Sequence, residues 1–275
     1  MATLPRSAKS SGDWTTNDLL AYNITVSSQS PETFYSEPLP DIANLATFYD
    51  IDPNLLSGTL GTQGLSNETY CLLEYLDLAS RPNSDQESAV HDFAREILRA
   101  LRYELRGSLL RSRHTIPLLI SGDPNRSAPT SVCLIQGRSG IILIPVIQED
   151  TPVDPEPKVI ASAIATFQYN SRLQARLGKE KLDSMSIPCI TMSGTRPTFY
   201  VVPVTRELSK AVHTGQYPAS TTLVKKCIVA LNNYRLSEGM ESPGFRQVAL
   251  QHYASFLPFA RTHWENFIVP PKAVV

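Results

Sequence analysis

The chain has 275 residues, of which 42% are hydrophobic and 19% charged, and its formal net charge is −1. This length suits one large domain or a core with appendages. The balanced charge excludes a protein that is basic all over, but it leaves room for a local basic face. The first residues, MATLPRSAKSSGDW, lack the apolar core of a secretion signal, and the longest apolar run is too short to span a bilayer. We therefore expect a cytoplasmic or nuclear protein with no membrane partner.

The four cysteines are scattered along the chain, with no C-x-x-C pair and no histidine at zinc-binding spacing. They are Cys71, Cys133, Cys189 and Cys227. This pattern argues against structural zinc and predicts reduced, mostly buried thiols.

The first 83 residues show no regular pattern. We predict a disordered N-terminus over residues 1–14 and an extension over 15–83 that packs on the core, with a short helix at 68–79. The sequence GTLGTQG at 58–64 is similar to a phosphate-binding loop, but it lacks the lysine, the preceding strand and the spacing of one. We interpret it as a plain loop.

A longer helix is predicted from about Asp85 to Tyr103, beginning at a capping box formed by Ser84 and Glu87. One face is apolar and comprises Val90, Ala94, Ile97, Leu98, Leu101 and Leu105. A second stripe is basic and comprises Arg95, Arg99, Arg102 and Arg106, followed by Arg111 and Arg113. Two interpretations stay open for these arginines: a phosphate-binding surface for nucleic acid, or a solvated helix face with Glu–Arg pairs.

The middle of the chain predicts an α/β core over residues 84–205. The expected strands are 107–121, 130–136, 141–149, 187–194 and 198–204, with a helix over 155–177 between the third and the fourth. Most of these strands are continuous apolar runs, which predicts a mixed central sheet with helices on both faces. Residues 206–275 are expected to be a helical region, with helices at 207–213, 222–234 and 246–267.

This order, with a helix glutamate before it and acids at the end of the third strand, resembles the PD-(D/E)XK nuclease superfamily, whose core is restriction-endonuclease-like. The chain resembles more closely a family of proteins from mushroom-forming (basidiomycete) fungi that share this nuclease-like core. The phrases that carry the resemblance are ESAVHDFA at 87–94, VIQED at 146–150, DPEPKVIASAIATFQ at 154–168 and ITMSGTRPTFYVVPVT at 190–205. The resemblance covers most of the chain and implies the superfamily's α/β core.

The resemblance also implies site residues. In the superfamily, a helix glutamate, a strand aspartate and a strand-end acid bind Mg²⁺, and a lysine activates or positions the attacking water. Glu87 and Glu149 match the helix acid and the strand-end acid, and Asp150 follows Glu149. Ser131 stands where the fungal family has aspartate, and Thr151 where it has lysine. The site is therefore a degenerate one. Mg²⁺ is expected only if it still functions, and no other cofactor is implied.

Lost groups can migrate in this superfamily, so Lys158 is a candidate to replace the lysine and Asp123 to replace the aspartate. Gln168 lies where some relatives place a glutamine that contacts substrate, although a surface helix residue is the alternative. As an alternative to binding a metal, Glu87 caps the helix. In the same way, Glu149 and Asp150 are alternatively solvated acids at the end of a strand. Pro145 removes a hydrogen-bond donor from an expected inner strand and predicts a bulge.

Three functions remain open from the sequence. The first is a nuclease-like pseudoenzyme that binds a nucleic acid or a protein partner. The second is a cleft reused for metal-free chemistry on, or binding of, a small molecule, in fungal secondary metabolism. The third is an active nuclease whose catalytic residues have migrated.

Overall fold

The computed structural model describes residues 7–49, 52–81, 86–149, 154–230 and 238–268, and for residues 48, 49, 86, 87 and 149 it describes the backbone alone. The helices are α1 (Thr16–Ala21), α2 (Pro31–Tyr35), α3 (Ile42–Tyr49), α4 (Asn54–Ser57), α5 (Asn67–Ser80), α6 (Gln86–Ala100), α7 (Glu156–Arg176), α8 (Arg206–Thr214) and α9 (Pro243–Trp264). The strands are β1 (Ile24–Ser28), β2 (Ser108–Ser112), β3 (Thr115–Ile120), β4 (Asp123–Pro129), β5 (Val132–Gln136), β6 (Ile142–Glu149), β7 (Ser184–Ser193), β8 (Arg196–Thr205) and β9 (Thr222–Ile228).

A mixed sheet of seven strands, counted over the described residues, forms the centre of the molecule in the order β1-β9-β8-β7-β6-β5-β2. Strands β2, β5 and β6 form an antiparallel meander, whereas β7 runs parallel to β6 and is reached through the crossover helix α7. The mixed α/β sheet predicted from the sequence is confirmed, as is the interior position of the 142–149 strand. The edge strand β1 comes from the N-terminal segment and pairs in parallel with β9.

Helices cover this sheet because its inner strands are apolar on both sides. Helix α7 packs on β6, β7 and β8, helix α6 on β2, β5 and β6, and helix α9 on β7 and β8. The buried side of α7 includes an unbroken run from Val159 to Gln168. The predicted boundaries of α7 and the apolar face of α6 are confirmed, except at Leu105, which is exposed. Among the described helices, none is both long and apolar enough to cross a membrane.

The single strand predicted over 107–121 is wrong. The chain forms β2, turns at Arg113 with a φ of 51°, and then continues as β3, which pairs with β4 in a separate two-stranded sheet. Ser121 and Gly122 form the turn between β3 and β4 with φ values of 49° and 78°, and the second of these is natural for glycine. Strand β4 tolerates Pro124 because it is an edge strand.

The helix predicted over 222–234 is also wrong. Residues 222–228 form β9, in which Thr222, Val224 and Cys227 are buried and Leu223 is exposed. Buried and exposed residues thus nearly alternate, as they do in a strand that is covered on one face. Pairing with the neighbouring strands makes this segment a strand and not a helix. The rest of the predicted helix, from residue 231, lies outside the described residues.

The structure also bears on two smaller predictions, the disorder of residues 1–14 and the bulge at Pro145. The chain is ordered before residue 14, since Ser11 is buried and the buried Trp14 stacks on Tyr22 at 5.4 Å between ring centroids. The disorder predicted for residues 1–14 is therefore wrong for this part. The predicted bulge is present beside Pro145, since the β5–β6 register shifts between Leu134 and Ile135, within two residues of the Cys133–Pro145 pair.

Candidate functional site

The predicted site lies at a polar pocket of about 440 Å³ where the ends of β5 and β6 meet the first turn of α7. Its lining includes Ser131, Gln148 and Lys158, together with His91 from α6. The meander brings Ser131 beside the end of β6, because Val132 pairs with Val146. The structure thus brings together three of the regions that the sequence assigned to one site.

Ser131, at the position of the missing aspartate, is 3% exposed and makes structural hydrogen bonds. Its backbone N–H donates to the carbonyl of Val146 at 2.9 Å. Its Oγ accepts a hydrogen bond from the backbone N–H of Gln148 at 3.0 Å. The hydroxyl therefore completes the pairing of β6 near its end, and a neutral oxygen used in this way is a poor metal ligand.

Lys158 reaches the pocket from the first turn of α7. Its Nζ donates to the backbone carbonyl of Gln148 at 2.5 Å, which fixes the ammonium at the end of β6. This turn of the helix is anchored to the sheet by an ion pair between Glu156 and Lys226 of β9. Lys158 therefore lies in the same pocket as Ser131, and the migration of the lysine function to it stays a prediction.

Two further residues set the character of the pocket. Arg113 is exposed, lies in the lining, and is held by a hydrogen bond from its backbone N–H to the carbonyl of Ser131 at 2.8 Å. Gln148 is 9% exposed, and its side-chain Oε1 is buried without a hydrogen-bond partner among the described residues. A buried acceptor of this kind costs free energy unless a bound donor or water satisfies it.

The described donors in the pocket do not fit Mg²⁺. No described carboxylate lies in the lining, which instead carries a lysine, an arginine, a histidine and hydroxyl groups. Across the side chains that the structure describes, no three His, Cys, Asp or Glu residues come together in a metal-binding group. Glu87 and Glu149 are described by backbone alone, and Asp150 and Thr151 lie outside the described residues. Their predicted roles as metal ligands and catalytic groups stay predictions.

Gln168 and Asp123 lie away from this pocket. The Gln168 side chain is 9% exposed and bonds both backbone groups of Leu119 in β3, accepting from the N–H at 2.9 Å and donating to the carbonyl at 3.0 Å. It holds the β3–β4 hairpin on α7 and is not a surface residue. Asp123 follows the turn of that hairpin and pairs with Arg126 at 2.9 Å. Neither side chain lines the pocket, so Asp123 does not replace the missing aspartate there.

The predicted arginine stripe is interrupted because α6 ends at Ala100. Arg102 follows the helix with a φ of 56°, and Arg106 lies in the loop before β2. On the helix itself, Arg95 is half-buried, and Arg99 forms ion pairs with Glu96 at 3.1 Å and Glu104 at 3.6 Å. The pairing of Arg99 favours the solvated-face interpretation for that residue.

Sequence reasoning missed a buried polar cluster under α9. The Tyr35 hydroxyl lies 3.0 Å from His252 Nδ1, and the Cys227 thiol lies 3.8 Å from the same nitrogen. Burial raises the pKa of Cys227 to about 12 and lowers the pKa of His252 to about 4. Because the thiol stays protonated and the imidazole neutral, this Cys–His pair is not an activated nucleophile. No spacing in the sequence signals the cluster, since its members lie on three separate elements.

Comparison of the chain with family models and with curated proteins finds no match in either.

Proposed function

We propose that this protein has a PD-(D/E)XK-like core whose cleft binds the phosphate backbone of a nucleic acid without cleaving it through a metal. The observation that supports this proposal most directly is the polar pocket, whose lining includes Lys158 and Arg113 together with Ser131 and Gln148. It lies at the strand ends to which the resemblance assigns the superfamily's chemistry.

The order of elements supports the nuclease-like core. Helix α6 precedes the antiparallel strands β2, β5 and β6, helix α7 follows them, and β7 and β8 complete the series. This is the order of one helix, three strands, one helix and two strands that the resemblance requires. The β3–β4 hairpin is then an insertion between the first and second of these strands.

The charges in the pocket support an anionic ligand. The Lys158 ammonium and the Arg113 guanidinium are groups of the kind that bind phosphate, and the lining also includes Thr130 and Ser131. A polar and cationic lining fits a phosphodiester better than it fits the apolar small molecule that a pocket stripped of charge would take. The protein partner considered from the sequence has no comparable observation in its favour.

Hydrolysis is not part of this proposal because the metal site is incomplete. With Ser131 engaged to Gln148, a Mg²⁺ ion in the cleft keeps at most Glu87 and Glu149 as charged ligands. Mg²⁺ requires near-ideal octahedral geometry and loses its waters reluctantly, so two carboxylates hold it weakly.

The test is polynucleotide binding measured by fluorescence anisotropy over a series of salt concentrations. We expect the wild-type protein to bind labelled single- or double-stranded DNA or RNA at low salt. The double change Arg113→Gln with Lys158→Gln removes two phosphate contacts. The slope of log K against log salt should then fall by about 2, or about 1 for each contact.

The matched control is Arg176→Gln with Lys179→Gln, which removes the same charge at the far end of α7, where both residues are exposed. Helix α7 has 21 residues, so these positions lie on the order of 30 Å from Lys158. Equal losses in the two double variants, or no binding by the wild type at low salt, contradict the proposal.

The position of Lys158 favours one second candidate, an active nuclease in which this residue has taken over the role of the missing lysine. Cleavage of DNA or RNA in Mg²⁺ or Mn²⁺ separates the two functions. The first proposal expects no cleavage above background. Clear metal-dependent cleavage that is lost in both Glu149→Ala and Lys158→Gln establishes the second. Ser131→Asp with Thr151→Lys restores the residues of the fungal family, and this double variant is measured in the same assay.

A further inference from the structure

A second pocket, which shares no lining residue with the cleft, lies beneath the glycine-rich loop at 58–64. It has a volume of about 300 Å³ and lies between the start of this loop, helix α5 and the first turn of α9. The loop turns away from α4 at Gly58, where a Cβ atom would lie 2.4 Å from the carbonyl oxygen of Asn54. Glycine is therefore required for this turn, and the turn brings the loop backbone against Arg246 of α9.

Arg246 is the most unusual residue of this pocket because its charge is buried. The side chain is 2% exposed and is the largest among the fully buried side chains. Its Nη2 donates to the carbonyl of Gly58 at 2.5 Å. Its Nε is buried and has no hydrogen-bond partner among the described residues, and no ion pair joins the guanidinium to a described carboxylate.

A buried guanidinium in this state is costly. Burial lowers the pKa of Arg246 to about 10, and no neighbouring carboxylate offsets that effect. The group nevertheless stays charged at neutral pH. Taking such a charge out of water is unfavourable unless an opposite charge and hydrogen bonds compensate for it.

The two acids in the lining are already engaged. Asp77 forms an ion pair with Arg81. Glu241 accepts hydrogen bonds from the Thr195 hydroxyl at 2.5 Å and from the backbone N–H of Gly239 at 2.7 Å. Glu241 also interacts electrostatically with Arg196, so neither acid is the counter-charge of Arg246.

We propose that this pocket binds a phosphate group, either free phosphate or the phosphate of a small monoester, with Arg246 as its charged ligand. The guanidinium presents planar donors that match phosphate oxygens, and the unpartnered Nε marks the donor that the protein leaves unused. A volume of about 300 Å³ is at the lower end of small-molecule sites, which excludes a large ligand. The site is separate from the cleft, so it stands or falls independently of nucleic-acid binding.

The experiment measures the melting temperature against inorganic phosphate at constant ionic strength. It uses the full chain carrying Arg113→Gln and Lys158→Gln, so that the cleft does not contribute. We expect a saturable rise of about 3 °C or more by 20 mM phosphate, as for a ligand that binds only the folded state. A parallel titration with glycerol phosphate identifies a monoester as the preferred ligand if it saturates at lower concentration. Sodium acetate tests whether a planar carboxylate suffices.

The deciding variant is Arg246→Met, with Arg261→Met as the control on the same helix, since Arg261 is exposed. Arg246→Met should abolish the phosphate response while leaving the melting temperature without phosphate equal or higher, because an uncompensated charge has been removed. Arg261→Met should keep the response. No response in the Arg246-containing protein, or the same response in Arg246→Met, overturns the proposal.

A second measurement covers the case in which Arg246→Met does not fold. Crystals of the wild-type protein soaked in millimolar selenate, a phosphate analogue located by its anomalous scattering, should show a peak within hydrogen-bond distance of Arg246. Absence of a peak there, with selenate bound elsewhere or not at all, also overturns the proposal.

Discussion

Helix α7 uses buried polar side chains in two contrasting ways along its length. In its middle, the Asn170 side chain accepts from the backbone N–H of Ile142 at 2.9 Å and donates to the same residue's carbonyl at 2.8 Å. Gln168 does the same for Leu119. At the first turn, Lys158 faces a glutamine, Gln148, whose side-chain oxygen has no partner among the described residues.

The difference lies in which polar groups are left without a partner once the backbone groups are paired. Asn170 serves Ile142 beside the β5–β6 bulge, where the regular ladder is interrupted and backbone groups need other partners. Gln168 serves the hairpin that is separate from the main sheet. At the first turn, Ser131 and Lys158 satisfy the backbone groups of Gln148, but its side-chain Oε1 has no hydrogen-bond partner among the described residues.

The largest effect on stability is expected from Asn170→Leu. Leucine has a similar volume, but it leaves the N–H and the carbonyl of Ile142 unsatisfied in a fully buried place. Each such group costs about 1–3 kcal/mol, so the free energy of unfolding should fall by about 4 kcal/mol. Urea denaturation measures it. A loss below about 1 kcal/mol breaks the comparison, because the amide then has no structural role.

His252 extends the comparison to a buried group that acquires charge in acid. Its folded pKa is lowered to about 4, chiefly by burial and with Glu32 partly opposing the shift, against 6.5 for a free histidine. Because the unfolded chain takes up the proton first, stability falls as the pH decreases from 6.5 to 4, by about 3 kcal/mol in total.

The pH-dependence is checked by unfolding His252→Asn at several pH values beside the wild type. Asparagine retains an acceptor for the Tyr35 hydroxyl and does not titrate, so the variant should lack this acid-dependent loss. The Cys227 thiol, with its pKa raised to about 12, does not titrate in this range. Parallel pH curves for the two proteins contradict the expectation.

Gln148→Met tests the other half of the comparison, the polar groups at the first turn of α7. The backbone groups of Gln148 that bond Ser131 and Lys158 remain, and only the unsatisfied Oε1 and its amide are lost. We expect stability to be unchanged or higher by about 1 kcal/mol. A decrease in stability of 2 kcal/mol or more shows that Oε1 is satisfied within the folded protein.

The smallest effect is expected at the arginine stripe. Replacing Arg95, Arg99, Arg102 and Arg106 with Gln removes four charges, yet Arg99 is already paired and the last two residues lie beyond α6. The salt slope of polynucleotide binding should change by less than about 1, compared with about 2 for the two cleft residues. A larger change in the salt slope for the stripe variant shows that polynucleotide binds at α6 and not at the cleft.

The sequence predicted those parts of the fold whose signals are local. The apolar runs at 132–136, 142–149, 184–193 and 196–205 and the helix at 156–176 are visible as patterns, and the structure has them. Strand β9 was missed because its pairing with β8 and β1 is not visible in the residues TLVKKCI themselves. The split of 107–121 depends on the left-handed turn at Arg113, a conformation that arginine seldom adopts.

The site was predictable only in outline. The sequence located Ser131 and Lys158, and the structure places both in one pocket. It could not assign Gln168, since a helix polar residue has no visible partner until β3 is placed against α7. It also gave no sign of Arg113 as a lining residue, or of Arg246 under the glycine-rich loop, because both roles come from contacts between distant segments.

The pairing of β1 with β9 has a consequence for how the protein is made. Asn23 and Thr221, which join beside this edge, are 198 positions apart in the chain. Ile24 is synthesised 198 residues before its strand partner Thr222. Contacts of such long range close slowly, and an unpaired edge strand is open to association with other chains. Strand β1 therefore has no partner strand until β9 has also been made.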